Sequence, residues 1–225
     1  MKVIVFGANG GLGQWVWKAA VSAGHEVVAF VRSPDKLDAS DARHASLEVV
    51  QGDVTDTEAV ARAAAGCEVA INCTSPAGGN ATLELAKAAV EGAAAAGVRT
   101  FYMVGGMGAL WAPGTHRQVL VQDWEDEAGM KAFGLSGSIP RDRLRDMTKG
   151  HLASMAYLES TGYAHTFLCP AMMLEGPATD TRVVTLDELG GSSVLKVNKG
   201  DVAQVLVDDL GKGELLGHRV CIAAA

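Results

Sequence analysis

Short runs of Val, Ile and Phe alternate along this chain with longer Ala-rich segments, and that alternation constrains the fold more than any other feature. It is the pattern of βαβ units, in which parallel strands are joined by crossover helices. Strands are expected over residues 3–6, 27–31, 47–51, 69–73, 100–104 and 165–169, with a last short one over 219–223. Helices are expected over 12–23, 57–65, 81–96, roughly 144–160, and 200–210. Most of the strand runs are apolar throughout, which predicts burial on both faces of the sheet. At 225 residues, with no internal repeat or low-complexity linker, the chain is expected to form one doubly wound α/β domain over 1–225. Residues 105–143 break the pattern, mixing glycine, tryptophan and alternating charge, and are read as an insertion on the substrate side.

The first turn of this pattern carries "VFGANGGLG", with Gly7, Gly10 and Gly13 directly after an apolar strand. A phosphate-binding turn needs glycine where the chain bends tightly, where backbone approaches a diphosphate, and where helix packs on strand. Asn9, Gly11 and Leu12 complete the loop. The spacing is G-x-x-G-x-x-G rather than G-x-G-x-x-G, and no P-loop lysine follows, so the position in the chain carries the reading: a dinucleotide site. At the end of the second strand an NAD site places a carboxylate for the ribose 2′-hydroxyl. This chain has Arg32 and Ser33 there, a planar fork and a hydroxyl suited to a 2′-phosphate, so NADP(H) is expected in preference to NAD(H). The bland alternative for Arg32 is a solvated loop cation. Lys36 is near enough in sequence to contribute.

The charge balance narrows the partners. A net charge of −7 with no Lys/Arg run argues against nucleic acid and anionic membrane, leaving a small molecule. The four cysteines are widely spaced with no C-x-x-C pair, so neither a metal site nor a disulfide framework is expected, and they read as reduced core thiols. The opening apolar stretch is too short for a signal peptide or a membrane span, and a cytoplasmic location is expected. Monomer and homodimer both remain open.

Four motifs, "GANGGLG", "GDVTD" at 52–56, "YMVGGMGAL" at 102–110 and "ESTGYAHTFLCPAMM" at 159–173, span nearly the whole chain. Together they resemble the atypical short-chain dehydrogenase/reductase superfamily, in particular its NAD(P)H-binding, NmrA-like group that includes biliverdin reductase B-type flavin reductases. The resemblance implies a Rossmann-like sheet with Asp53 and Val54 bracketing adenine. It implies Cys73, Thr74 and Ser75, then Val104 and Gly105, along the cofactor, with Pro170, Ala171 and Met172 near the nicotinamide.

The usual Tyr-x-x-x-Lys pair of the superfamily is missing, since none of Tyr102, Tyr157 and Tyr163 has lysine four residues later. His151 stands where relatives carry that lysine and is the first candidate for catalysis. An imidazole there would bind ribose hydroxyls or supply a proton, or else only bond backbone near a helix start. Lys149 is the second candidate. Met107, Trp111 and His116 are candidates for the substrate wall, with Met103, Met172 and Met173 beside them, although methionines at such positions are commonly ordinary core. Ser75 and Cys73 follow a strand without a G-x-S-x-G elbow, which removes a hydrolase. The function expected is an NADPH-dependent oxidoreductase acting on a flavin, quinone or conjugated ketone. A non-catalytic NADP(H) sensor and a nucleotide-dependent isomerase or epimerase are the alternatives.

Overall fold

The structure is a computed structural model that describes residues 1–38, 40–74, 80–110, 140–179, 182–188 and 196–225. Parallel strands β1 (Lys2–Phe6), β2 (Glu26–Val31), β3 (Leu47–Gln51), β4 (Val69–Asn72), β5 (Thr100–Val104) and β6 (Ala164–Pro170) form most of one sheet. Two short strands, β7 (Met172–Leu174) and β9 (Lys196–Asn198), pair with each other apart from this sheet, which β8 (Arg182–Leu186) and β10 (Arg219–Ala224) complete. The order is β3-β2-β1-β4-β5-β6-β10-β8, parallel except for β8, which runs antiparallel to β10. The expected all-parallel sheet is therefore closed by one antiparallel edge strand.

Side-chain alternation along each strand divides the core in two. Ile4, Phe6, Val28, Phe30, Phe101 and Phe167 point to one face, where α2 (Thr57–Ala63), α3 (Asn80–Ala95) and α4 (Arg141–Ser160) pack. Val3, Val5, Val27, Ala29, Ile71 and Leu168 point to the other, against α1 (Gly13–Ser22) and α5 (Lys199–Asp209). That is the doubly wound arrangement, and it explains why the inner strand sequences are apolar without a break. Each buried Phe or Val contributes about 1.5–3 kcal/mol through apolar surface removed from water. β3 departs from the expected burial: Glu48, Val49 and Gln51 are exposed because the strand lies at the sheet edge.

Local signals set the element ends. Asp56 caps α2 by accepting the Ala59 N–H at 2.9 Å. Gly24 ends α1 at φ +83°, the left-handed conformation that lets the chain turn into β2. On the α5 side, the buried Tyr102 hydroxyl donates to Asp209 at 2.7 Å, and the same carboxylate accepts the N–H groups of Glu214 and Leu215. This ties the end of α5 to β5 and pushes the Tyr102 hydroxyl well above its usual pKa, burial being the larger cause and Asp209 the second. In the irregular stretch, Met107–Ala109 form a buried 3-10 turn, and residues 141–143 already belong to α4. Residues 111–139, the rest of the expected insertion over 105–143, lie outside the described residues.

Candidate functional site

β1 has neighbours β2 on one side and β4 on the other, so the chain direction of the winding reverses there. Open α/β sheets bind ligands outside the carboxyl ends of strands at such a point. A cleft of about 870 Å³ lies there, in the upper range of small-molecule and cofactor sites. Gly7, Asn9, Gly10, Gly11 and Leu12 form one wall.

The loop's geometry follows from its glycines. Gly7 has φ +73° and its N–H donates to the Phe30 carbonyl at 3.2 Å, while Gly10 N–H closes the turn on the Gly7 carbonyl at 2.8 Å. A Cβ on Gly13 would stand 2.2 Å from the Gly7 carbonyl oxygen. Gly13 thus lets α1 start against β1 but does not itself line the cleft. Asn9 Nδ2 donates to the Ser33 carbonyl at 3.0 Å, locking the loop to the end of β2. Ser33 contributes that carbonyl, and it is not among the residues lining the cleft.

Arg32 is exposed and lines the cleft. Asp53 lines it too, with its carboxylate fixed by the Thr55 N–H at 2.9 Å and the Thr55 hydroxyl at 2.8 Å. Those bonds hold its pKa below the ordinary value, against desolvation and with a smaller contribution from Arg32. Beneath them, Val54 is buried, and Gly52 leaves room for the Phe30 ring, which a Cβ would approach to 2.4 Å. Cys73 and Thr74 form the wall after β4, where the Asn72 side-chain carbonyl accepts both the Thr74 N–H and hydroxyl. Ser75 lies outside the described residues.

At the other end, Val104 and Gly105 line the cleft after β5, and Gly105 is held to glycine by the Phe167 ring, 2.2 Å from where a Cβ would stand. α4 contributes Met147 and His151, four residues apart and so on one helix face. A Cβ on Gly106 would lie 3.2 Å from His151 Nδ1. Burial pushes the His151 pKa down to about 4, so the ring is neutral near pH 7. Lys149, two residues earlier and about 200° round the helix, is exposed and absent from the lining.

The segment after β6 was expected near the nicotinamide through Pro170, Ala171 and Met172. Pro170 ends β6 beside Ile222, Ala171 is buried against α1 and α5, and Met172, partly buried, packs against the core on the opposite face. Met173 is the residue of this segment that reaches the cleft. Met103 and Met107 are core as well, both almost fully buried. Trp111 and His116 lie outside the described residues. The lining also includes Phe30, Thr55, Glu84, Leu85, Met147 and Lys199, which the sequence reading did not single out.

All three tyrosines are engaged elsewhere: Tyr102 with Asp209, Tyr157 with Glu91, and Tyr163 with the Val98 carbonyl. None lines the cleft. All four cysteines are buried, and none is in a disulfide. Among the described residues no His, Cys, Asp and Glu group suits a metal ion, and no helix is long and apolar enough to cross a membrane.

A sequence profile of a family described as NAD(P)H-binding matches residues 7–212. Among solved structures, a Burkholderia pseudomallei protein named as exported is 26% identical with a TM-score of 0.79, the match covering 99% of each chain. A Bacteroides thetaiotaomicron protein named as an epimerase is 25% identical with a TM-score of 0.78, covering 99% of this chain and 96% of its own. A Streptococcus pneumoniae protein named as an NADH-flavin reductase is 23% identical over the full length of both chains, with a TM-score of 0.77.

Proposed function

The chain belongs to the NAD(P)H-binding family, and from that premise we propose that it is an NADPH-dependent oxidoreductase acting on a small conjugated acceptor such as a flavin, quinone or conjugated ketone. The observation that carries this reading is a cleft with a glycine-built anion wall and Arg32 at one end, and Met147, Met173, Gly105 and a neutral His151, without tyrosine, at the other.

The glycine wall fits a dinucleotide, because Gly7, Gly10 and Gly13 sit where a Cβ would strike backbone at 3.2 Å or less, keeping the loop in the shape that presents its N–H groups to a diphosphate. When bound, a reduced nicotinamide supplies the hydride. Arg32 binds the 2′-phosphate, Asp53 and Val54 hold the adenosine end, and Thr74 and Gly105 flank the path toward the ring. Met147 and Met173 exclude water beside the reacting end and adapt to a flat partner.

His151 is uncharged at neutral pH, so it orients the acceptor or a ribose hydroxyl by hydrogen bonding and is a poor proton source. A simple ketone would develop a localised alkoxide that demands a donor. A conjugated acceptor spreads its charge and takes its proton from water, which suits a cleft of this composition.

The test is NADPH and NADH consumption measured with flavin, quinone, conjugated ketone and unactivated ketone acceptors. Turnover with the first three, faster with NADPH, is expected. Tight NADPH binding with no consumption on any acceptor would replace the oxidoreductase by a sensor.

A further inference from the structure

We infer that Lys199 is a charged clamp for the diphosphate of the bound dinucleotide, held over the glycine loop by Glu175 until the diphosphate takes its place. The inference rests on the dinucleotide reading above and concerns the part that NADH and NADPH share.

The glycine loop, "GANGGLG", contains no cation of its own. A diphosphate brought to it would meet backbone N–H groups and the positive end of α1 but no full positive charge from the loop. Lys199, the first residue of α5, supplies one from across the cleft. Its Nζ stands over Gly11, 2.7 Å from where a Cβ on that glycine would be. The position is set by rigid surroundings: Gly200 N–H donates to the Gly176 carbonyl at 3.0 Å, and a Cβ on Gly200 would strike the Pro177–Ala178 backbone at 2.2 Å. The start of α5 is thereby pinned to the chain that follows β7.

That same chain carries the lysine's partner. Glu175 accepts a bond from Lys199 Nζ and another, at 3.1 Å, from Trp15 Nε1 in the first turn of α1. Exposure separates the partners: the Lys199 side chain is 17% exposed, inside the cleft, whereas Glu175 is 71% exposed. A pair with one member in water is weakly coupled. A diphosphate offers more negative charge in a less hydrated place, and charge-assisted bonds to it are the stronger kind. Lys199 therefore exchanges Glu175 for the diphosphate on binding, and Glu175 competes with the ligand. Removing the lysine's charge weakens binding, whereas removing the glutamate's charge strengthens it. Because the diphosphate is common to both cofactors, neither change alters the preference set at Arg32.

The experiment titrates NADPH, NADH and adenosine 2′-monophosphate into the unmodified protein, Lys199→Gln, Glu175→Gln and the double variant. Lys199→Gln should weaken both dinucleotides by about tenfold or more, leaving their ratio unchanged. Glu175→Gln should tighten both, and the double variant should match Lys199→Gln, because the gain needs the lysine. Adenosine 2′-monophosphate, which lacks a diphosphate, should bind all four proteins alike and so report that the cleft is folded. Unchanged dinucleotide affinity in Lys199→Gln overturns the inference. So does weaker binding in Glu175→Gln, which would make that residue a brace. A raised KM for acidic acceptors alone, with cofactor affinity intact, also overturns it and moves Lys199 to the substrate. An unmodified protein that binds neither dinucleotide breaks the cofactor reading itself, and the clamp with it.

Discussion

At the β1 turn the cleft is shaped by backbone: Gly7, Gly10 and Gly13 lie within seven residues and each is held to glycine by a neighbouring main-chain atom. At the far end the wall is assembled from side chains that arrive separately, Met147 and His151 from α4 and Met173 from β7. The contrast separates two tasks. The first end presents main-chain donors to an anion and has almost no freedom of sequence. The second can change its chemistry residue by residue while the sheet beneath it stays as it is, which is how one fold serves many acceptors.

Gly13→Ala attacks that contrast most directly. Its Cβ would lie 2.2 Å from the Gly7 oxygen and 2.9 Å from Ala8 Cα, neither of which can swing away. Chemical denaturation should show a loss of about 1–3 kcal/mol from overpacking, and titration should show dinucleotide binding lost. A variant that unfolds and binds like the parent would mean the turn is more plastic than its geometry implies.

Arg32→Ala sharpens the comparison within the binding end. NADPH affinity should fall about tenfold to hundredfold, the worth of a charge-assisted bond, with NADH nearly unchanged. Equal dissociation constants for the two cofactors in the unmodified protein would remove Arg32 from the 2′-phosphate.

His151 tests the other end through pH. Its folded pKa, about 4, lies below the ordinary 6.5, so the unfolded chain takes up the proton first. Its contribution to stability is complete above pH 6.5 and is lost as pH falls toward 4, with a slope of at most about 1.4 kcal/mol per pH unit. His151→Gln should flatten the stability profile across that window, measured by urea unfolding at several pH values. The same neutrality predicts no inflection near 6.5 in kcat/KM from this group. An inflection there that His151→Gln abolishes would restore the ring as a proton donor.

The smallest effect is expected at Lys149, exposed on the far side of α4. Lys149→Ala should leave stability within about 0.5 kcal/mol and leave both cofactor affinity and turnover at the parent's values. Lost turnover would transfer the catalytic assignment from His151 to Lys149.

The same contrast decides what the sequence made legible. β1 to β6 and β10 were readable because each is an apolar run flanked by helix-forming segments, and the expected limits of β3 and β5 coincide with the observed ones. The glycine turn was readable because its determinants are contiguous. β7 and β9 were not, since three residues each is too short for a period to register. The same shortness hid the phase of "MML": with every residue apolar, nothing local decides whether Met172 or Met173 faces the cleft. Lys199 carried no signal, being a single lysine ahead of a helix whose importance comes from a loop 188 positions away in the chain. The Asn9–Ser33 bond was not legible because it uses the Ser33 carbonyl, a group every residue has.

The buried thiols give the molecule a clock. Desolvation pushes Cys67 up to about 11 and Cys73 up to about 12, and Cys169 well above its ordinary value, so alkylation in the native state waits for an opening that lets the thiolate form. Labelling rates then measure how often the surrounding structure opens. Cys67 and Cys73 flank β4, Cys73 beside the glycine turn and Cys67 at the strand's other end, while Cys169 and Cys221 face each other in register across β6 and β10. Equal rates at the two pairs would mean the sheet opens as one cooperative unit. Unequal rates would date which half lets go first, and the four reporters needed for that measurement are already in the sequence.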